Sequence, residues 1–317
     1  MNFVLRGLII GAIFLSSCSI NPTSGTAPEP SIVTSFSILA DITTHIVGDT
    51  IPVVSIVAAD NDTHAFEPSP ADAARVADAT VVVTLGLEFE GWFDDMYAAS
   101  GSTAPVIVAS TPLTPLPADD HEAEAHSDEG HAEDEAGHGE YDPHVWQDVS
   151  NVSSMVAYLA TELSAQFPEH ASTFARNAAQ YQAELTALDQ EIMALSQEIP
   201  AERRLLITNH DTFGYFAARY GYTIVDSVLG SVTTEGGDPG ATQIAALADS
   251  VQKLGIRTIF VENTSNTQIS ENLATEAGIT LAPPLYTDAL GNADSSGATY
   301  VAMMRYNIQT IHTALMP

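Results

Sequence analysis

The sequence predicts an α/β fold of two domains built on parallel-rich sheets, and three observations carry that expectation. The chain has 317 residues, enough for two domains of ordinary size, and 45% of them are apolar, enough for real cores. Short apolar runs alternate with helix-period segments in both halves, as βαβ units require. Between the halves lies one long amphipathic stretch with the period of a single helix.

In the first half, 31–39 is β-rich and 51–58 is a second apolar run. Residues 71–79 have helical spacing. Thr80 to Leu85, Thr-Val-Val-Val-Thr-Leu, has no polar face and reads as a strand buried on both sides. Residues 106–109 read as another strand. The central helix is expected over 167–199, with its larger apolar residues at Phe174, Tyr181, Leu185, Leu188, Ile192, Leu195 and Ile199 on one stripe. Pro168 suits its first turn and Pro200 ends it. At 1.5 Å per residue it would extend roughly 45 Å, the length of two domains. In the second half, strands are expected at 204–208, 223–228, 258–261 and after 279. Helices are expected at 213–220, 241–253, 270–276 and 299–315. No clean internal repeat relates the halves.

The balance of 41 Asp and Glu against 9 Lys and Arg excludes nucleic acid as a partner, because nothing could neutralise a run of phosphates. Part of the acidity is local. Between Asp119 and Asp142 stand eleven acids and no Lys or Arg, together with His121, His126, His131 and His138. This insert, 118–140, has almost no apolar bulk and is expected to be disordered without a ligand. Its histidines, five to seven residues apart, suit loose and exchangeable metal binding; a solvated acidic spacer is the competing reading.

The N-terminus reads as a targeting segment. Arg6 precedes a short apolar run, Gly7 to Phe14, and then Leu15-Ser-Ser-Cys18, which resembles a bacterial lipobox. Residues 1–17 are thus expected to be a signal peptide, with Cys18, the only cysteine, as the lipidated first residue of the mature chain. Residues 18–30, rich in Ser, Thr, Pro and Gly, form a flexible tether.

Three histidines stand in loop settings: His64 in Asp62-Thr-His-Ala-Phe-Glu-Pro-Ser-Pro, His144 in Asp142-Pro-His-Val-Trp, and His210 in Thr208-Asn-His-Asp. Asp288, in Tyr286-Thr-Asp-Ala-Leu-Gly, is a fourth candidate. Successive members are 80, 66 and 78 residues apart, so only the fold can gather them. Gathered, three imidazoles and one carboxylate make a tetrahedral site suited to Zn2+. His64 and His210 fall where strands end, the place where parallel α/β sheets hold ligands. Trp146 is placed to wall the pocket, and Asp142 or Asp148 to accept the second ring N–H of a ligating imidazole. Glu67 and Glu235 are possible supporting groups. His45, His170 and His312 fall in or beside helices and read as structural or surface residues.

These segments resemble the zinc- and manganese-binding solute-binding proteins of bacterial ABC transporters, over Ser31 to Leu315. The motifs are Asp62 to Pro70, Asp142 to Trp146, and His210-Asp-Thr-Phe-Gly-Tyr-Phe-Ala-Ala-Arg-Tyr-Gly221. Gly86-Leu-Glu-Phe-Glu, Phe174 to Tyr181 and Asp288-Ala-Leu-Gly agree with them. The resemblance implies two α/β lobes, 31–166 and 200–317, joined by one rigid helix, with the metal in the cleft between them. It implies His64 and His144 from the first lobe and His210 and Asp288 from the second. It also implies a monomer, anchored outside the cytoplasmic membrane through Cys18, that delivers its ion to a permease. Manganese-type members usually carry Glu where His210 stands, and zinc-type members often carry an acidic His-rich loop; both features favour Zn2+ over Mn2+. The chain departs from the family at Val149, where a proline is usual, and at Glu235-Gly-Gly-Asp-Pro-Gly.

Two other classes compete. A zinc metallohydrolase needs an open coordination position and a nearby base, for which Glu67 is the candidate, but no His-Glu-x-x-His motif occurs. A surface adhesin has no sequence feature that distinguishes it.

Overall fold

The computed structural model describes residues 30–118, 139–208, 211–225, 248–249, 251–253, 255–264 and 268–316. The signal peptide, the tether with Cys18, His121, His126, His131 and His138 of the insert, His210 and Glu235 lie outside the described residues.

The first lobe is a four-stranded parallel sheet of β1 (Ile32–Phe36), β2 (Val53–Val57), β3 (Val81–Thr84) and β4 (Val106–Val108), in the order β2-β1-β3-β4. The all-apolar run at β3 is buried along its whole length, as a central parallel strand must be. Helices α1 (Ser37–Val47), α2 (Pro70–Asp78) and α3 (Phe93–Ser100) connect or flank the strands. Pro70 is the first residue of α2. Ser69 caps the helix, and the Asp72 carboxylate accepts back from the Ser69 N–H at 2.9 Å.

Two features depart from the sequence expectation. The β-rich run 31–39 divides at Ser37, where α1 begins directly from the extended Phe36 with no turn residue between. An 18-residue helix, α4 (Val149–Gln166), to which no expected element corresponds, precedes the central helix. Asp148 caps it, accepting from the Ser150 N–H at 2.7 Å.

The central helix is α5 (Ala171–Glu198), 28 residues, entered through a 3-10 turn at Pro168–His170. Phe174, Tyr181, Leu185, Leu188 and Ile192 of the expected stripe are buried along it. It is not a free-standing rod. It packs on α1, α4 and the last helix, α8 (Tyr300–Leu315), within one continuous apolar core. Arg219 and Arg305 pin it to the second half: Arg219 grips Asp189 through Nε at 3.1 Å and Nη2 at 2.7 Å, and Arg305 pairs with Glu191 at 2.9 Å.

In the second half the described strands form two parallel pairs, β5 (Leu205–Leu206) with β6 (Thr223–Ile224) and β7 (Thr258–Ile259) with β8 (Thr280–Leu281). The Phe260 N–H donates to Ile207 O at 3.0 Å and ties the pairs together. Helices α6 (Gly214–Tyr220) and α7 (Gln268–Ala277) flank them. Val251, Ile256, Ile259, Leu273 and Ile207 make a separate small core there. The architecture is α/β, with parallel sheets flanked by helices and two lobes joined by α5. No helix among the described residues is long and apolar enough to cross a membrane.

Candidate metal centre

The loops that follow the strands converge. After β2 the chain turns through residues 58–69, and Asp62 folds this loop by accepting from the His64 N–H at 2.8 Å. His144 stands just before the 3-10 turn Val145–Gln147 that leads into α4. Asp288 lies beyond β8, after Pro283-Pro284. The Nε2 atoms of His64 and His144 are 3.4 Å apart. Asp288 spans them, Oδ2 being 3.9 Å from His64 Nε2 and Oδ1 3.7 Å from His144 Nε2. These three side chains form the one group among the described residues whose ligand atoms lie within 4.8 Å of one another.

The donor chemistry fits a metal ion. Two nitrogens held 2.0–2.1 Å from one tetrahedral ion stand about 3.4 Å apart. The two imidazoles already meet that condition, and one carboxylate oxygen faces each of them at 3.9 and 3.7 Å. Burial is graded across the group: the His64 side chain is 32% exposed, those of His144 and Asp288 3% and 2%. His64 thus lies at the solvent side of the group, and His144 and Asp288 at its buried side.

His144 is held from behind. Its backbone N–H and its Nδ1 both lie 2.8 Å from Asp142 Oδ1. A proton on Nδ1, donated to this carboxylate, leaves the Nε2 lone pair facing the site. Asp142 is itself placed by Tyr215, whose hydroxyl donates to Asp142 O and accepts from the Leu116 N–H, both at 2.8 Å. Burial pushes the Tyr215 phenol up to about 12, so it stays a donor at any physiological pH. Asp148, the other expected partner, serves as the α4 cap and stands 3.5 Å from Arg219.

Aromatic rings wall the site. Phe89 presents an edge to His64, centroids 4.7 Å apart, and packs on Trp146 at 4.9 Å. Trp146 lies 5.4 Å from His144, and its indole N–H donates to Thr287 O at 2.8 Å, joining the His144 loop to the Asp288 loop. Phe89 is delivered by three successive left-handed residues, Gly86, Leu87 and Glu88. The buried Glu90 carboxylate secures that turn, accepting from the N–H groups of Leu85 at 2.7 Å and Gly86 at 3.1 Å and from Ser35 Oγ at 2.5 Å. This accounts for the Gly86-Leu-Glu-Phe-Glu segment, to which sequence reasoning gave no role.

Of the four expected ligands, the structure brings His64, His144 and Asp288 together. Thr212, two residues beyond His210, donates to Asp288 Oδ1 at 3.3 Å. Sequence reasoning missed Glu90, Tyr215, and the asparagines Asn263 and Asn292 described below. Glu67 is absent from the described metal group.

Two parallel-sheet lobes with imidazoles and a carboxylate meeting between their strand ends define a metal-binding solute receptor. The chain belongs to the family described as zinc-uptake complex component A, periplasmic (ZnuA), whose model matches residues 32–314. It is 30% identical over 311 residues to the manganese-binding lipoprotein MntA of Halalkalibacterium halodurans, covering 97% of this chain and 96% of that one. It is 31% identical to the zinc-binding protein AdcA of Streptococcus pyogenes over 293 residues, covering 88% of this chain and 55% of AdcA. Among solved structures it is similar to the periplasmic zinc-binding protein TroA of Treponema pallidum. There the TM-score is 0.78 at 26% identity, over 91% of this chain and all of the other. These relatives are named as metal-binding proteins, and this chain, a solute-binding protein of the same family, is not an enzyme.

Proposed function

We propose that this chain is the extracytoplasmic receptor of an ABC transporter that captures Zn2+ between its lobes and delivers it to a membrane permease. The observation that carries this reading is the convergence of His64, His144 and Asp288 on one point. His210 is the fourth ligand in this reading, supported by the contact of Thr212 with Asp288. Residues 31–166 form the first lobe, 167–199 the linking helix and 200–317 the second lobe. The chain acts as a monomer, held to the membrane through Cys18; relatives named as lipoproteins support the anchor.

A donor set of imidazoles with a single carboxylate suits Zn2+ better than Mn2+, which prefers oxygen ligands. Four protein ligands close the site, which suits holding an ion rather than activating water. Mn2+ is the second reading, favoured by the relative named as manganese-binding, MntA. Divalent affinity rises from Mn2+ to Zn2+ at almost any such site, so test-tube affinity alone does not separate the two. Elemental analysis of the chain purified without added metal does. Zn2+ at one ion per chain in an insert-deleted form is expected, and Mn2+ in its place would overturn the zinc assignment. Calorimetry adds an acid-side check. Protons compete for imidazoles that titrate near 6.5 when free, so Zn2+ affinity should fall between about pH 7.5 and 5. A flat profile would exclude this ligand set.

A further inference from the structure

Asp60 stands on the cleft rim, four residues before His64, with a φ of 57° in the left-handed region. That conformation is uncommon outside glycine and is most tolerated by Asn and Asp. Here it aims both the backbone and the carboxylate at the second lobe. The Asp60 N–H donates to Leu290 O at 2.8 Å. Its Oδ1 accepts from Asn263 Nδ2 at 3.1 Å. Its Oδ2 accepts from the Asn292 N–H at 3.2 Å and from the Asn292 side-chain amide.

Asn263 in turn brackets Asp288. Its Oδ1 accepts from the Thr287 N–H at 3.3 Å, and its Nδ2 reaches Ala289 O at 3.5 Å. One side chain thus holds the residues on both sides of Asp288 and hands them to Asp60. Two other ties hold the Asp288 loop, the Trp146 indole N–H to Thr287 O and the Leu290 N–H to Ser37 Oγ at 3.0 Å, and both are buried. The ties from Asp60 to Asn263 and Asn292 are exposed, so water competes there first.

We propose that Asp60 is a positioning residue for metal capture. Through Asn263 and Asn292 it sets the separation of His64 from Asp288, and breaking this clamp speeds release of the ion. The proposal rests on the metal-receptor reading above.

The test is Asp60→Asn in the full chain loaded with Zn2+ and mixed rapidly with excess chromogenic chelator. Asparagine keeps the left-handed backbone and leaves one acceptor oxygen where there were two. Zn2+ dissociation is expected to accelerate about tenfold, as the loss of one or two hydrogen bonds would give. Zn2+ stoichiometry should remain that of wild type, which a chain merely loosened in its fold would not show. Asn292→Ser, at an exposed position with little risk to folding, should accelerate release less. Because both residues act through one clamp, pairing Asp60→Asn with Asn292→Ser should accelerate release by less than the product of the two single effects. Unchanged dissociation in both single variants overturns the proposal, as does a paired variant whose acceleration is the full product. A wild-type chain that takes up no Zn2+ instead overturns the underlying metal reading.

Discussion

Asp142 Oδ1 receives two donors from the same residue, the backbone N–H and the Nδ1 of His144, each at 2.8 Å. One carboxylate oxygen therefore fixes both the main chain and the ring of a candidate ligand. It sets the tautomer that turns Nε2 toward Asp288, 3.7 Å away. Removing such a partner usually costs a metal site about 10–100-fold in affinity. Asp142→Ala is expected to fall in that range in a chelator competition with Zn2+. Affinity equal to wild type would show that the ring is oriented by packing against Phe89 and Trp146 alone.

Gly214 gives a way to disturb the same carboxylate without touching it. A Cβ at this position would stand 2.7 Å from Asp142 Oδ2, inside any normal contact. Gly214 opens α6, where alanine should favour the helix by up to about 1 kcal/mol. Gly214→Ala is therefore expected to weaken Zn2+ binding while the metal-free chain keeps or gains stability. Unfolding and binding titrations on one sample would separate the two effects. A loss of both together would mean that the helix start, not Asp142, had moved.

Much of this was legible in the sequence, for reasons that differ by element. The strands β3 and β4 and the helices α2, α5 and α8 announce themselves through unbroken apolar runs or a clear stripe with proline at the right end. The start of α1 was hidden because Phe36 passes straight from strand to helix, with no glycine or proline to mark the change. Asp148 reads from the sequence as a partner for His144 because its loop position is visible, whereas its role as the α4 cap depends on where that helix starts. His64, His144 and Asp288 could be nominated because stiff, proline-bearing loops present them. What holds them could not. Asp60, Asn263 and Asn292 meet across more than 200 residues, and Tyr215 reaches Asp142 across 73. Such long-range polar contacts leave no local pattern. The clearest missed signal was Gly86, a turn residue directly after the buried strand β3, with the acid Glu90 four residues on.

The His-rich insert leaves and returns at one point of the fold. Pro117 and Tyr141 form an antiparallel bridge, the Ala118 N–H donates to Glu140 O at 3.2 Å, and the Asp142 N–H donates to Leu116 O at 2.9 Å. The two ends are thus close enough for a tight turn to join them. Replacing 119–138 by Asn-Gly is expected to lower Zn2+ stoichiometry to one per chain, with the tight site unchanged in calorimetry. Loss of the tight site would show that the insert supplies a ligand to it and would contradict the division between a cleft site and a loose collecting site.

Glu90 should leave a pH signature in the metal-free chain. Burial raises its carboxyl above the ordinary value, against the lowering effect of the donors from Ser35, Leu85 and Gly86. The folded state therefore holds the proton at a pH where the unfolded chain, titrating near 4.3, has released it. Between the two values the native state binds more protons, so this group's contribution grows as pH falls. It is complete below the unfolded value and is lost as pH rises through the folded one. Glu90→Gln cannot titrate, and its amide nitrogen cannot accept from the Gly86 N–H. Urea unfolding with chelator present, from about pH 7.5 to 4.5, should show wild type gaining stability over the variant as the pH is lowered. Other carboxylates cancel in that difference because both chains carry them. Parallel profiles would mean that Glu90 keeps an ordinary titration despite its burial, with the turn that carries Phe89 held by the ionised form throughout.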